Sequence, residues 1–200
     1  MPVRSLVVIA SLLLAAALPA GGTVPGAAAP EFTIQDATGK PVRLADYRGK
    51  FVVLEWTNPE CPFVRKHYSS NNMQGLQKEW GAKDVVWLAI NSTNAKSSEF
   101  KTGGAMAAWM QAQGAAPRAT LIDETSATGR AYGARTTPQM FVIDPAGRIV
   151  YNGAIDDRRS TNPADAKDAR NYVRAALTEA TAGRPVSVAS TTPYGCSVKY

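Results

Sequence analysis

The stretch EWTNPECPFVRKHY, residues 55–68, holds the side chains best suited to chemistry, and its centre is Cys61 followed directly by Pro62. Proline fits the first position of a helix, where its missing N–H would have had no partner. Cys61 is then the residue that caps the helix, and its sulfur faces the free amides of Phe63 and Val64. Those donors and the positive end of the helix favour thiolate over thiol, which predicts a lowered pKa and a nucleophilic sulfur. Arg65 lies four residues on, over the same face, and adds positive charge if it folds back. Val64 stands where a second cysteine would complete C-x-x-C, so Cys61 has no partner within its own motif. The competing reading of Cys61 is a buried apolar spacer. His67 falls about 120° round the helix from Cys61 and reads as an ordinary surface histidine.

Two further features bear on Cys61. Glu55 interrupts the apolar run FVVLEWT; if buried, its pKa is raised and it trades protons with the nearby sulfur, whereas an edge position leaves it an ordinary exposed acid. In ARTTPQMFVID, Pro138 precedes an apolar strand, and a cis Thr137–Pro138 bond would present the Thr137 backbone at the end of a sheet. The alternative is a trans proline that opens the strand. Thr137, Pro138, Pro62 and Phe63 are the expected walls of a substrate groove.

The second sulfur is Cys196, in the tail TTPYGCSVKY. An extended chain from Arg184 is long enough to cross a domain of this size. Gly195 permits a close backbone approach or a sharp turn, and Val186, Val188 and Tyr194 suit packing on the domain. Two roles compete. Cys196 resolves a mixed disulfide or sulfenic acid formed on Cys61, and an external dithiol then reduces the bridge. Otherwise a permanent Cys61–Cys196 disulfide pins the tail, which the chain-entropy model values at about 4–5 kcal/mol.

The elements that must position these residues follow from pattern. EFTIQDATGKPVRLADYRGK predicts two short strands around a turn at Thr38–Pro41. FVVLEWT and DVVWLAINS read as strands buried on both faces. A helix over 62–80 joins them into a β-α-β unit, so the two strands are parallel. A helix over 97–114, weakened at Gly103–Gly104, is followed by the strand ATLIDE and a short helix in SATGRAYGA. QMFVIDPAGRIVYNGAI is a hairpin turning at Pro145–Gly147. A final helix opens at Pro163, runs its apolar line through Ala166, Tyr172, Val173, Ala176 and Leu177, and stops at Gly183. The sum is a layered α/β domain with a mixed sheet.

At the N-terminus a basic start at Arg4, an apolar run from Leu6 to Leu18 and a small-residue region read as a signal peptide over residues 1–22, cleaved between Ala20 and Ala29. The expected location is exported, periplasmic or secreted, with an uncleaved N-terminal membrane anchor as the variant. Residues 30–182 form one domain and 183–200 its tail. Export places the two cysteines in an oxidising compartment where they can pair. The net charge of +6 is spread in ones and twos with no basic run or aromatic platform, which argues against nucleic-acid binding. A single histidine leaves little from which to build a metal site, and no organic cofactor is indicated.

With these residues in place, the chain resembles the thioredoxin superfamily, and within it the peroxiredoxin-like branch of redoxin or alkyl-hydroperoxide-reductase/thiol-specific-antioxidant domains. The likeness spans roughly residues 30–182, through the N-terminal hairpin, FVVLEWTNPECPF, Pro138, FVID and the last helix. It implies a thioredoxin-like fold: a mixed central sheet, helices on both faces and an N-terminal β-hairpin extension. Cys61 matches the nucleophilic first cysteine of the thioredoxin motif, and Glu55 its buried acid. The sequence departs from regular peroxiredoxins, whose Pro-x-x-x-Thr/Ser-x-x-Cys is not met by Leu54 and Asn58. The resemblance implies an exported, thiol-dependent oxidoreductase or antioxidant acting on a thiol/disulfide protein or a peroxide, in cell redox homeostasis. Alternatives are a non-catalytic binding domain with a structural disulfide, and a copper-handling protein of the same fold, which would need two cysteines close in sequence and a histidine far downstream.

Overall fold

The computed structural model describes residues 23–200; the segment read as a signal peptide, residues 1–22, lies outside the described residues. Strands β1 (Thr33–Gln35) and β2 (Pro41–Arg43) form an antiparallel hairpin. The Asp36 carboxylate shapes its turn by accepting from the amides of Thr38 at 2.8 Å and Lys40 at 3.0 Å. Strand β3 (Val52–Trp56) is buried along its whole length, as its apolar run requires.

One helix was expected over 62–80; two are found, α1 (Pro62–Ser69) and α2 (Asn72–Gly81). Asn71 takes a left-handed conformation between them, with φ 58°. The run Ser69-Ser70-Asn71-Asn72 explains the break. Its side chains compete for backbone groups: the Ser69 hydroxyl donates to the Arg65 carbonyl at 2.8 Å, and the Ser70 hydroxyl to that of His67 at 3.3 Å. Strand β4 (Val86–Asn91) pairs parallel with β3, closing the expected β-α-β unit.

Helix α3 (Gly103–Ala112) starts six residues later than the pattern suggested, at the glycine pair, where the Thr102 side chain accepts from the Ala105 amide. Strand β5 (Ala119–Ile122), α4 (Ala127–Tyr132) and the two-residue β6 (Thr136–Thr137) follow. The hairpin of β7 (Gln139–Ile143) and β8 (Ile149–Gly153) stands where it was expected. The last helix is shorter than predicted. Pro163 opens a separate 3-10 turn, and α5 (Tyr172–Thr181) starts after Asn171, whose side chain accepts from the Arg174 amide at 2.8 Å.

The central sheet has the order β5-β4-β3-β7-β8, in which β7 alone runs opposite to the others, antiparallel to both β3 and β8. Its two faces carry unequal loads. One is covered by Val64, Tyr68, Met73, Leu76 and Trp80 of α1 and α2, with Met106 and Met110 of α3 and Val173 and Leu177 of α5. The other packs Trp56, Leu88 and Phe141 against Phe32, Ile34 and Tyr132, from the N-terminal hairpin and α4. The tail ends in β9 (Cys196–Ser197), paired antiparallel with β6.

Candidate active site

Cys61 sits at the end of a short loop that leaves β3. The Asn58 side chain accepts from the Glu60 amide at 2.8 Å, and its backbone carbonyl accepts from the Cys61 amide at 3.0 Å. Its amide nitrogen in turn donates to Glu99 at 2.8 Å, which ties the loop to the segment before α3. Cys61 is the N-cap residue of α1, with Pro62 in the first turn. The sulfur makes no capping bond to the amides of Phe63 and Val64. It points across the helix mouth and donates to the Thr137 carbonyl at 2.9 Å. The Thr137–Pro138 bond is cis, so that carbonyl stands where β6 hands over to β7.

Arg65 reaches back, but towards the loop. Its guanidinium donates to the Pro59 carbonyl at 2.6 Å and to Glu60 at 2.7 Å. Phe63 is half-buried beside Tyr194, and Pro62 is exposed.

The tail brings the second sulfur to the same place. Thr137 and Cys196 are register partners across β6 and β9. The cysteines are both free thiols, Cys61 only 1% exposed and Cys196 half-buried. Cys196 is pushed up to about 12 by burial, then by hydrogen bonding with Cys61 and by the charge on that sulfur. Gly195 makes the approach possible: at φ 142°, a Cβ there would fall 2.0 Å from the Thr137 carbonyl oxygen.

Glu55 is fully buried in mid-strand. Its carboxylate accepts from Tyr68 at 2.8 Å, Trp87 at 2.8 Å and Gln77 at 3.2 Å, so its hydrogen-bond partners lie in α1, α2 and β4. Burial raises its pKa against the pull of those donors. The Thr57 hydroxyl stands close to Glu55 and Tyr68, yet it is buried without completing a hydrogen bond.

His67 corrects the reading of a surface histidine, because the side chain is wholly buried. The tail and the segment after β8 cover the face of α1 that looked free. Lys66 beside it is also buried; its ammonium group lies 3.5 Å from Asp156 and donates to the Arg158 carbonyl at 2.6 Å. Tyr194 completes the cluster by donating to Asp156. Sequence reasoning missed Lys66, Asp156 and Tyr194 as a group. The one available signal was an adjacent Lys-His pair on a helix whose opposite end carries the reactive cysteine.

The model of the AhpC/TSA family matches residues 25–152 of this chain, a stretch that includes Glu55, Cys61 and Pro138 and stops before the tail. The chain belongs to the AhpC/TSA family. The thiol-disulfide oxidoreductase ResA of Geobacillus thermodenitrificans is 28% identical over 131 residues, covering 62% of this chain and 66% of that relative, just under two thirds of its length. A crystal structure of an uncharacterized conserved protein from Geobacillus kaustophilus superposes with a TM-score of 0.79 at 30% identity, covering 89% of this chain and 93% of that one. A putative thiol:disulfide interchange protein DsbE from Chlorobium tepidum gives a TM-score of 0.53 at 29% identity, covering 64% of this chain and 83% of its own. This AhpC/TSA chain therefore has the thioredoxin-like fold, with the mixed sheet and N-terminal hairpin described above.

Proposed function

We propose that this AhpC/TSA protein is an exported thiol-disulfide oxidoreductase in which Cys61 is the nucleophile and Cys196 the resolving partner. The observation that carries the reading is the register of Cys196 on Thr137, whose carbonyl already holds the Cys61 sulfur. Cys61 thiolate attacks one sulfur of a substrate disulfide; that S–S bond breaks, and the leaving thiolate takes up a proton. Cys196 then loses its proton and attacks the Cys61 sulfur, forming the Cys61–Cys196 bond and releasing the second substrate thiol. The two electrons gained by the substrate come from the cysteine pair, and an external dithiol reductant returns them.

The electrostatics suit this order. While Cys61 bears charge, Cys196 is held as the thiol. Once Cys61 is in a mixed disulfide that charge is gone, and Cys196 ionises more readily at the step that needs it. A Cys61 thiolate has no proton to give the Thr137 carbonyl, and the amides of Phe63 and Val64 are its neighbouring donors, while Arg65 is engaged by Pro59 and Glu60. Thr137 and Pro138, with Pro62 and Phe63, border the groove for the incoming chain. Glu55 serves as a proton store for Cys61, drawing on its raised pKa.

A purely structural disulfide is less well supported. The tail is held without one: the Thr191 hydroxyl bonds Tyr151 at 2.7 Å and accepts from the Ala154 amide at 2.9 Å, and the Lys199 carbonyl accepts from Asn94 at 2.7 Å. The proposed body extends slightly beyond residues 30–182. The Gly26 amide donates to Ile149 at 2.7 Å and that of Ala29 to Gly147 at 2.9 Å, which favours signal cleavage at the early end of 20–29.

The reading is tested by following reduction of a protein disulfide by the reduced protein. Cys61→Ser abolishes turnover, and Cys196→Ser accumulates a mixed disulfide on Cys61. Full exchange by Cys61→Ser would overturn the assignment, and consumption of hydroperoxide in place of disulfide would move the substrate class to peroxides.

A further inference from the structure

We propose that Tyr194 is a positioning residue for the resolving step, holding Cys196 over Cys61 by locking the tail to the same helix that carries Cys61. The proposal rests on the reading of Cys61 and Cys196 as a reacting pair.

Tyr194 is 6% exposed although it belongs to a C-terminal tail. Its hydroxyl donates to Asp156, lies 3.3 Å from His67 Nε2 and 3.5 Å from Lys66 Nζ. The proton assignment is self-consistent. His67 is held neutral, its pKa lowered to about 3 by burial and then by the Lys66 charge. Asn72 approaches Nδ1 at 2.9 Å, and with its amide as donor there, Nε2 carries the ring proton and gives it to the tyrosine oxygen. The tyrosine proton is then free for Asp156. The Tyr194 ring also meets Phe63 edge-on, with centroids 5.8 Å apart.

Two features make this more than a generic anchor. Lys66, His67 and Phe63 all belong to α1, at whose mouth Cys61 sits, so one rigid helix holds both sulfurs: Cys61 by covalent attachment, Cys196 through the tyrosine. Tyr194 and Cys196 are also separated only by Gly195, where the chain bends at φ 142°. Gly195 between them lies against the Thr137 carbonyl, so the segment cannot shift without losing the register of β9. Other tail anchors, Thr191 and Lys199 among them, reach β8 with the residue after it and the segment beyond β4, and leave α1 untouched.

The same tail covers Cys61, so loosening it has opposite effects on two steps. The experiment uses the full mature protein and glutathione disulfide as probe. Stopped-flow and quench measurements give the rate at which Cys61 becomes glutathionylated, and then the rate at which Cys196 expels glutathione. Tyr194→Phe keeps the ring and removes the hydroxyl. Expulsion slows about tenfold, near the worth of one hydrogen bond to a charged group, while glutathionylation is unchanged or faster. His67→Gln removes one of the hydroxyl's partners and moves both rates in the same directions by less, which keeps the proposal testable if Tyr194→Phe folds poorly. Thr191→Val, which removes a tail anchor that leaves α1 untouched, slows expulsion less than Tyr194→Phe does.

Equal expulsion rates in wild type and Tyr194→Phe would overturn the positioning role, as would a parallel fall of both rates. Expulsion from wild type no faster than from Cys196→Ser would instead sink the paired-cysteine reading beneath it.

Discussion

Two buried polar clusters flank helix α1, and they are built on different principles. Around Glu55, one carboxyl meets three neutral donors, Tyr68, Trp87 and Gln77, and burial pushes it towards its protonated form. Around Asp156, a carboxylate meets a buried lysine, a neutral histidine and a tyrosine. The first uses β3, α1, α2 and β4, all parts of the domain body. The second joins α1 and the segment after β8 to the tail through Tyr194. A core can therefore hold an acid with neutral donors alone, whereas a tail that must hold a reactive sulfur is fastened by charge and hydrogen bonds together.

The sharpest way to break this contrast is to remove the counter-charge. Asp156→Ala leaves Lys66 buried and unpaired, with an expected loss of about 3–5 kcal/mol in urea denaturation. Glu55→Gln removes no charge partner and keeps the volume, so its expected cost is about 1–2 kcal/mol. A reversed order of these two losses would show that Glu55 is held ionised.

Acid separates the clusters next. The folded pKa of His67, about 3, lies below its ordinary 6.5, so its contribution to stability is complete above about pH 6.5 and is lost as pH falls towards 3. Its neighbours Lys66, Asp156 and Tyr194 all belong to the tail lock, so tail release, read by proteolysis after Arg184, precedes global unfolding. The raised pKa of Glu55 acts with the opposite sign: its stabilisation is present below the ordinary carboxyl value and fades as pH rises through the folded one. His67→Gln flattens the acid limb.

The smallest expected effect concerns Cys196 itself. In Cys61→Ser the hydrogen bond and charge that push Cys196 upward are gone, so more thiolate is present at about pH 8 and alkylation by iodoacetamide accelerates. Burial, the first cause of the shift, remains, so the reaction stays slower than that of a free thiol.

Much of this was legible from local pattern. The apolar runs gave β3 and β4, and the proline after Cys61 placed the sulfur at a helix mouth. Pro138 marked a special peptide bond, and Gly195 a close approach that the Thr137 carbonyl now explains. The helix break at Asn71 was missed because apolar periodicity alone carried the reading, while the Ser-Ser-Asn-Asn run spoke against it. The late starts of α3 and α5 have the same origin, since caps at Thr102 and Asn171 outweighed the apolar line. The Lys66–His67–Asp156–Tyr194 cluster was beyond local pattern. Its members come from three separated parts of the chain, and nothing at helical spacing says that a tail will cover a charged face.

The most direct test of the central claim is the reduction potential of the Cys61–Cys196 couple in the mature protein, read by non-reducing peptide mapping across graded dithiol buffers. A bridge between these two residues titrating at about −120 to −270 mV, the range of redox-active thiol pairs, is the expected result. A bridge that resists reduction below about −300 mV, or two thiols that never join, would contradict the account.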